Sequence, residues 1–128
     1  DLGGFVENLG NLSQEGGSWI DENAVVMNNA EVEGDAFVTG DTRIFDNATI
    51  SDDAVVMEDV QIFGDSVIKD KARVKGEVIV KGESLIKNNA RVSGSAIITS
   101  ATVKDKAIVQ GRSKLFPDEV ISGQSIKD

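Results

Sequence analysis

Carboxylates are the side chains of this sequence whose number and spacing best suit chemistry. The 128 residues include 22 Asp and Glu but no histidine and no cysteine. Asp52 and Asp53 are adjacent, and Glu58 and Asp59 follow six residues later. Such pairs could bind Ca2+, which prefers oxygen ligands. Because the dense Asp-Gly spacing of calcium-binding β-rolls is missing, solvated turn residues are the simpler interpretation, and we predict no metal site and no cofactor.

The lack of histidine and cysteine also limits catalysis. General bases at neutral pH are most often histidines. A serine or threonine hydroxyl needs such a base to become a nucleophile, and a thiolate nucleophile needs cysteine. We therefore predict that the protein is not an enzyme and contains no catalytic residue.

Basic residues recur at wide, regular intervals in the second half of the chain. Lys69, Lys87 and Lys104 are 18 and 17 residues apart, and Arg73 and Arg91 are 18 apart, with Lys75 beside them. Such columns could bind phosphate, but no aromatic residues alternate with them as on many nucleic-acid-binding surfaces. The alternative is a solvated face, and we expect no nucleic-acid binding.

The charge is divided along the sequence. Residues 1–68 contain 15 acids and one base, a net charge of −14, whereas residues 69–128 contain seven acids and 12 bases, a net charge of +5. In a linear fold one end is therefore acidic and the other basic. A face for a basic protein partner could be formed by eight of the acids: Asp35, Asp41, Asp46, Asp52, Asp53, Glu58, Asp59 and Asp65.

The elements that must position these side chains follow from a six-residue period. A small residue precedes most aliphatic positions of this period by two residues, and Gly, Asn or Asp follows 14 of them by two residues. Residues two apart point to the same side of a strand, and Gly, Asn and Asp tolerate the positive φ of a tight corner. The unit is therefore a short strand and a corner. The aliphatic positions are Ile20, Val26, Val32, Val38, Ile44, Ile50, Val56, Ile62, Ile68, Val74, Val80, Ile86, Val92, Ile98, Val103, Val109, Leu115 and Ile121.

Residues of the same type, such as Ala36, Ala54 and Ala72, also recur every 18 residues. Eighteen residues are three six-residue units, so we predict that three units make one coil. The sequence predicts an all-β fold, a single-stranded parallel β-helix shaped as a triangular prism with about 18 residues per coil and about six coils. A five-residue step at Thr99 and Ser100 predicts one shortened corner. We expect residues 1–17 to form an N-terminal cap and residues 18–128 to form the β-helix, with an irregular last coil.

A family resemblance is carried by Val32-Glu33-Gly34-Asp35-Ala36, which is similar to the hexapeptide repeats of left-handed β-helix proteins, among them trimeric acyltransferases. Leu2-Gly3-Gly4-Phe5-Val6-Glu7 and Trp19 look like the opening of uncharacterised bacterial and phage hexapeptide-repeat proteins often labelled transferases. The resemblance covers the whole chain and implies left-handed coiling, although parallel crossovers in general are right-handed. The acyltransferases use a histidine base and the carbonic anhydrases of this fold use three zinc-bound histidines, which this sequence lacks. A divergent acyltransferase with a carboxylate base is therefore only an alternative.

Apolar side chains at outward positions indicate contact surfaces. Met27, Phe45 and Phe63 align at 18-residue spacing, and a second group is formed by three further residues, Phe37, Val55 and Met57. We expect a homo-oligomer, a trimer or a dimer, that packs through such a face. The alternative is that other segments cover it, and because the sequence starts at Asp1 without a methionine we expect further residues upstream.

Taken together, these features predict a non-enzymatic interaction or scaffold protein of phage origin in the cytoplasm, the host cytoplasm if it is phage-encoded, or in the virion. No apolar run approaches the roughly 20 residues of a transmembrane helix, so we expect no membrane association. The alternative is an acidic decoy that imitates nucleic acid and inhibits a host DNA- or RNA-binding enzyme. A decoy needs its acids on one continuous exposed stripe.

Overall fold

The chain winds three parallel β-sheets around one core. A computed structural model describes residues 5–6, 19–20, 23–123 and 126–127. Its strands are, in chain order, β1 (Phe5–Val6), β2 (Trp19–Ile20), β3 (Val25–Val26), β4 (Glu31–Val32), β5 (Phe37–Val38), β6 (Arg43–Ile44), β7 (Thr49–Ile50), β8 (Val55–Val56), β9 (Gln61–Ile62), β10 (Val67–Ile68), β11 (Arg73–Val74), β12 (Ile79–Lys81), β13 (Leu85–Ile86), β14 (Arg91–Val92), β15 (Ile97–Thr99), β16 (Thr102–Val103), β17 (Ile108–Val109), β18 (Lys114–Leu115), β19 (Val120–Ile121) and β20 (Ile126–Lys127).

Each strand from β2 to β17 pairs in parallel with the strand three places later in the chain, and β1 pairs with β3. Sheet A has the order β1-β3-β6-β9-β12-β15-β18, sheet B β4-β7-β10-β13-β16-β19 and sheet C β2-β5-β8-β11-β14-β17-β20. Paired residues such as Val74 and Val92 are 18 apart, so one coil holds three strands. The predicted fold class, an all-β left-handed parallel β-helix with the form of a triangular prism and about six coils, is confirmed.

Alternation along each strand builds the core. In β11, for example, Arg73 is exposed and Val74 is buried, and the small residue Ala72 two positions before Val74 is buried too. Each coil therefore turns one small and one aliphatic residue inward per sheet. Val38, Val56 and Val92 are also at most 1% exposed, which confirms the predicted inward column.

Four hydroxyl side chains lie among these buried aliphatic residues: Thr42, Ser66, Ser84 and Ser113. Each hydroxyl donates a hydrogen bond to the carbonyl oxygen three residues earlier, over 2.7 to 3.0 Å. Buried polar groups are costly unless they are paired. These residues can therefore replace alanine in the small inward column without leaving an unpaired donor.

Corners depend on residues with positive φ. Eight of these residues are glycines, and seven of the other nine are Asn or Asp, as the sequence predicts. The remaining two are Glu58 and Ser100, with φ of 74° and 51°. We call the three lines of corners the A–B, B–C and C–A edges, after the sheets that they join in chain order.

Neighbouring coils exchange hydrogen bonds at the B–C edge. The backbone N–H of Lys71 donates to the carbonyl oxygen of Asn88 at 2.9 Å, and the N–H of Asn88 donates back to Asp70 Oδ2 at 3.0 Å. In the same way, a backbone N–H donates to a side-chain oxygen of the preceding coil at three further corners: Asp70 to Asp52, Asp105 to Asn88 and Gly123 to Asp105. The Asn and Asp side chains of this edge thus bind each coil to the next.

The five-residue step forms the predicted shortened corner. Ser100 has positive φ, and Ala101 returns directly to the core. The paired residues Leu85 and Thr102 are 17 apart, and inward registry continues from there. Ser84 Oγ accepts the buried N–H of Ala101 at 3.3 Å, so the missing residue leaves no donor unpaired at this point.

Pro117 changes the geometry of the last A–B corner. Proline fixes φ near −65°, so it cannot take the positive φ that other corners have at this position. Asp118 takes it instead, with φ of 71°, and the N–H of Glu119 donates to the carbonyl oxygen of Phe116 at 3.1 Å. This is the pattern of a type II turn. Strands β19 and β20 then resume pairing.

The predicted N-terminal cap over residues 1–17 lies outside the described residues apart from β1. That strand adds to sheet A by pairing Phe5 with Val25, 20 residues later. No helix long and apolar enough to cross a bilayer occurs in the described ranges.

Candidate binding surfaces

Each coil presents two outward side chains on every sheet. One belongs to the first residue of the strand, as Val25 does, and the other follows the buried aliphatic residue, as Met27 does. Because coils are in register, each outward position forms a straight column along the prism. The character of a face therefore depends on which side chains share a column.

Sheet A carries an extended apolar surface, which we call the sheet A band. Rings of Phe45 and Phe63 stack in adjacent coils, with centroids 4.9 Å apart and planes at 5°. The charged outward residues in the described part of this face are all basic: Arg43, Lys81 and Lys114. The band consists of six half-buried side chains in two columns, Met27, Phe45 and Phe63 in one and Val25, Ile79 and Ile97 in the other.

The second predicted apolar group lies on sheet C. Phe37 and Val55 are paired in register, and Met57 follows the strand of Val55. Phe37 is 43% exposed, and Trp19 pairs with it from the preceding coil. The six residues that the sequence predicts as an interface thus lie on two different faces.

The eight predicted partner-face acids lie on the edges of the prism. The B–C edge holds Asp35, Asp52 and Asp53, the C–A edge holds Asp41, Glu58 and Asp59, and the A–B edge holds Asp46 and Asp65. Asp46 and Asp52 accept backbone N–H groups of the next coil, and Asp65 accepts the amide N–H of Asn47. The acidic surface is therefore divided among three lines.

Sheet C changes character in its C-terminal half. Arg73 and Arg91 are in register and exposed. A groove of about 420 Å³ separates them from the B–C edge, and a second groove of about 300 Å³ lies on their other side. We call these two depressions the basic grooves. The first is lined by Lys71, Arg73, Asn89, Arg91, Lys106 and Ile108, and the second also by Met57, Lys75, Ser93 and Gln110.

Sequence reasoning identified the arginine column but missed these grooves. Lys71, Asn89 and Lys106 are corner residues 18 and 17 apart, and that spacing was a usable signal. A groove, however, depends on the distance and angle between the column of corner residues and the column of strand residues. The six-residue period does not specify either.

Metal binding has no counterpart in the described residues. Among them, no three Asp or Glu side chains lie close enough together to hold a metal ion. Asp52 and Asp53 are both exposed at their corner, and the Asp52 carboxylate accepts the backbone N–H of Asp70.

Comparison with known proteins adds no narrower identity. No protein-family model matches this chain, and no curated protein matches it. The resemblance to bacterial and phage proteins of the LGGFVE type therefore stays a prediction. The structure establishes the coarser class, a β-helix of hexapeptide repeats with about 18 residues per coil.

Proposed function

We propose that this protein is a non-enzymatic scaffold that self-associates through the sheet A band. The observation that carries the proposal is the row of half-buried apolar side chains along five coils of one face, from Val25 to Ile97. Met27, Phe45 and Phe63 are contiguous, and so are Ile79 and Ile97, whereas Arg43 and Gln61 interrupt the column of Val25. Apolar clusters of this kind usually mark contact surfaces. In a two-fold symmetric dimer the same patch of both copies forms the contact.

A second copy of the chain fits the charges around the band. The outward cations Arg43 and Lys81 lie on the face itself, whereas acids line both of its edges, Asp46 and Asp65 on one and Asp59 on the other. Two such faces in contact can therefore bring the cations of one copy toward the edge acids of the other while the apolar columns meet. This arrangement supports association of like faces.

The size of the face predicts moderate affinity. About six coils at ~4.8 Å each give a length of ~29 Å, and a side of six residues is at most ~20 Å wide. The planar outline of one face is then ~580 Å², so a contact through this face would be of modest size beside the ~800 Å² of accessible surface that each partner of a standard interface buries. We therefore expect micromolar association, as a dimer or a trimer, that depends on protein concentration.

The scaffold proposal also includes a basic protein partner at the acidic N-terminal half and a cytoplasmic location. The position of the eight acids favours a scaffold over a nucleic-acid decoy, because they are spread over three edges and a decoy needs one stripe. The proposal contains no catalytic step. Incubation with acyl-coenzyme A and a panel of acceptors is expected to give no turnover, and turnover would support the acyltransferase alternative.

Sedimentation equilibrium tests the self-association. We expect the wild-type protein to shift from monomer to oligomer as its concentration rises from about 1 to 200 μM, the range of a micromolar contact. The double variant Phe45→Lys/Phe63→Lys places two stacked cations in the band and is expected to stay monomeric throughout.

Thr49→Lys/Val67→Lys is the matched control, because Thr49 and Val67 are also half-buried, outward and in register, but on sheet B. It introduces the same two charges and is expected to associate as the wild type does. Circular dichroism checks that both variants fold. A wild-type protein that is monomeric at 200 μM, or a control that dissociates as fully as the band variant, contradicts the proposal.

A further inference from the structure

We propose that the basic grooves of sheet C bind a small ligand that carries two or more phosphate or sulfate groups. The site lies on a different face from the sheet A band, so the two proposals can fail separately. The ligand would lie along the prism beside Arg73 and Arg91 and reach the edge cations Lys71 and Lys106.

The first observation is the stacking of like charges. Arg73 and Arg91 are directly opposite each other in adjacent parallel strands, where like charges destabilise a sheet. Within the described part of the chain no hydrogen bond or ion pair holds either guanidinium group. A bound anion would remove this repulsion, and a guanidinium fork matches the oxygens of a phosphate or sulfate in bidentate fashion.

The second observation is the arrangement of cations around the first groove. Lys71 and Lys106 stand on the B–C edge, opposite the arginine column, so four cations surround about 420 Å³. Asn89 lies between the two lysines on the same wall and adds an amide donor. The groove spans three coils, or about 10 Å at ~4.8 Å per coil, which is enough for two or three linked phosphate groups.

The acids that are adjacent in sequence to the groove lysines form hydrogen bonds with the next coil. Asp70 and Asp105 each precede one of the edge lysines, and neither lines the groove. Asp70 Oδ2 accepts both the backbone N–H and the amide N–H of Asn88, and Asp105 Oδ2 accepts the backbone N–H of Gly123. Their carboxylates are directed along the edge, so the positive charge of the groove is not neutralised from within.

The lining favours a small anion over nucleic acid. Single-stranded nucleic acids are held by stacking of bases on aromatic rings as well as by basic grooves. Neither basic groove is lined by an aromatic residue, and their apolar lining consists of Met57, Val74, Val92 and Ile108. The chain as a whole also carries a net charge of −9, which opposes non-specific binding of a long polyanion.

Isothermal titration calorimetry with tripolyphosphate tests the site. We expect one site per chain with a dissociation constant of about 10 to 100 μM at low salt, weakening as salt rises. Arg73→Gln/Arg91→Gln is expected to weaken binding by at least about tenfold, because charged hydrogen bonds are lost. Arg73→Lys/Arg91→Lys keeps the charge but loses the bidentate geometry, so an intermediate loss is expected.

The matched control is Lys87→Gln/Lys104→Gln, which removes the same charge from two in-register positions on sheet B that line neither groove, and it is expected to change binding less than about twofold. A sulfated disaccharide titrated in parallel distinguishes a sulfated from a phosphorylated source. The proposal is overturned if neither anion binds at 1 mM, if the arginine and control variants lose affinity equally, or if a ten-nucleotide single strand binds more tightly than both anions. Sedimentation equilibrium of the arginine variant shows whether the sheet A contact is intact.

Discussion

At the scale of single residues, three glycines of the C–A edge lie where successive coils approach closely. Gly76, Gly94 and Gly111 stack there, all with positive φ. A Cβ atom built on Gly94 would lie 2.6 Å from the carbonyl oxygen and 2.7 Å from the nitrogen of Gly111, whereas one on Gly123 would meet nothing within 4 Å. Substituting alanine at Gly123 therefore tests the cost of positive φ alone, whereas substituting it at Gly94 tests that cost together with the cost of the steric contact.

We predict that Gly94→Ala lowers the free energy of unfolding more than Gly123→Ala does. Positive φ costs an alanine about 1–2 kcal/mol at either site. Overpacking against the backbone adds about 1–3 kcal/mol at Gly94. Urea unfolding monitored by circular dichroism measures both variants, and equal losses would show that the Gly94 contact relaxes without cost.

The Asp70 side chain is predicted to act as a hydrogen-bond acceptor and not through its charge. Asp70→Asn keeps an acceptor and tolerates positive φ, as Asn88 does one coil later, so stability should change by less than about 0.5 kcal/mol. Asp70→Gly keeps the backbone freedom but loses the bonds to Asn88, at a cost of about 1 kcal/mol.

Asp70→Ala loses both features and should cost about 1–2 kcal/mol more than Asp70→Gly. We expect the urea midpoint to be highest for Asp70→Asn, lower for Asp70→Gly and lowest for Asp70→Ala. If Asp70→Asn is as unstable as Asp70→Ala, the acceptor explanation is wrong and the negative charge itself matters.

At the scale of elements, the shortened corner depends on one buried hydroxyl. Ser84 Oγ donates to the carbonyl oxygen of Lys81 at 2.7 Å and accepts the N–H of Ala101, which is 1% exposed. Ser66, one coil earlier in the same column, donates to Phe63 and accepts no N–H in the described structure. Of these two serines only Ser84 accepts an N–H at the shortened corner, where Ser100 Oγ also accepts the backbone N–H of Glu83 at 3.2 Å.

Ser84→Ala is accordingly predicted to be more destabilising than Ser66→Ala. Both variants lose a hydrogen bond of about 1 kcal/mol, but Ser84→Ala also leaves a buried donor unpaired, which costs about 1–3 kcal/mol. Amide hydrogen exchange at Ala101 should accelerate in Ser84→Ala and not in Ser66→Ala. Similar stability of both variants would argue that another acceptor reaches the Ala101 N–H.

Much of this element structure could be predicted from the sequence, because a period of six constrains which side chains face inward. The buried columns, the corner residues and the short step at Ser100 all follow from it. The shift of positive φ from Pro117 to Asp118 was missed, since it depends on the geometry of one turn. The role of Asp52 as an acceptor was missed as well, because the partner N–H is 18 residues away in the next coil.

At the scale of the whole molecule, each coil contacts only its neighbours, so central coils are supported on two sides and terminal coils on one. Ile68 and Ile121 belong to the same inward column of sheet B, but Ile68 is fully buried and Ile121 only half-buried. Phe116 and Val120 near Ile121 are 60% and 55% exposed. The last described coil is therefore less protected than the middle.

We predict that Ile68→Ala costs about 2–5 kcal/mol, as is typical of a buried isoleucine, and that Ile121→Ala costs clearly less. Hydrogen exchange should show fast exchange limited to the C-terminal coil in Ile121→Ala, and a loss of protection in several coils in Ile68→Ala. Equal and uniform effects would mean that the β-helix unfolds as one cooperative unit.

The hydrogen bonds between Asn or Asp side chains and backbone N–H groups at the corners all have the same direction along the chain, which matters for synthesis of the polypeptide. In the described residues from Asn28 to Asp105, each Asn or Asp side chain that accepts a backbone N–H at a corner belongs to the earlier coil, and the donor belongs to the later one. A polypeptide leaves the ribosome with its N-terminus first. A completed coil thus offers its corner side-chain oxygens, together with its backbone N–H groups, to the coil that is synthesised after it, so pairing can proceed from the N-terminus toward the C-terminus.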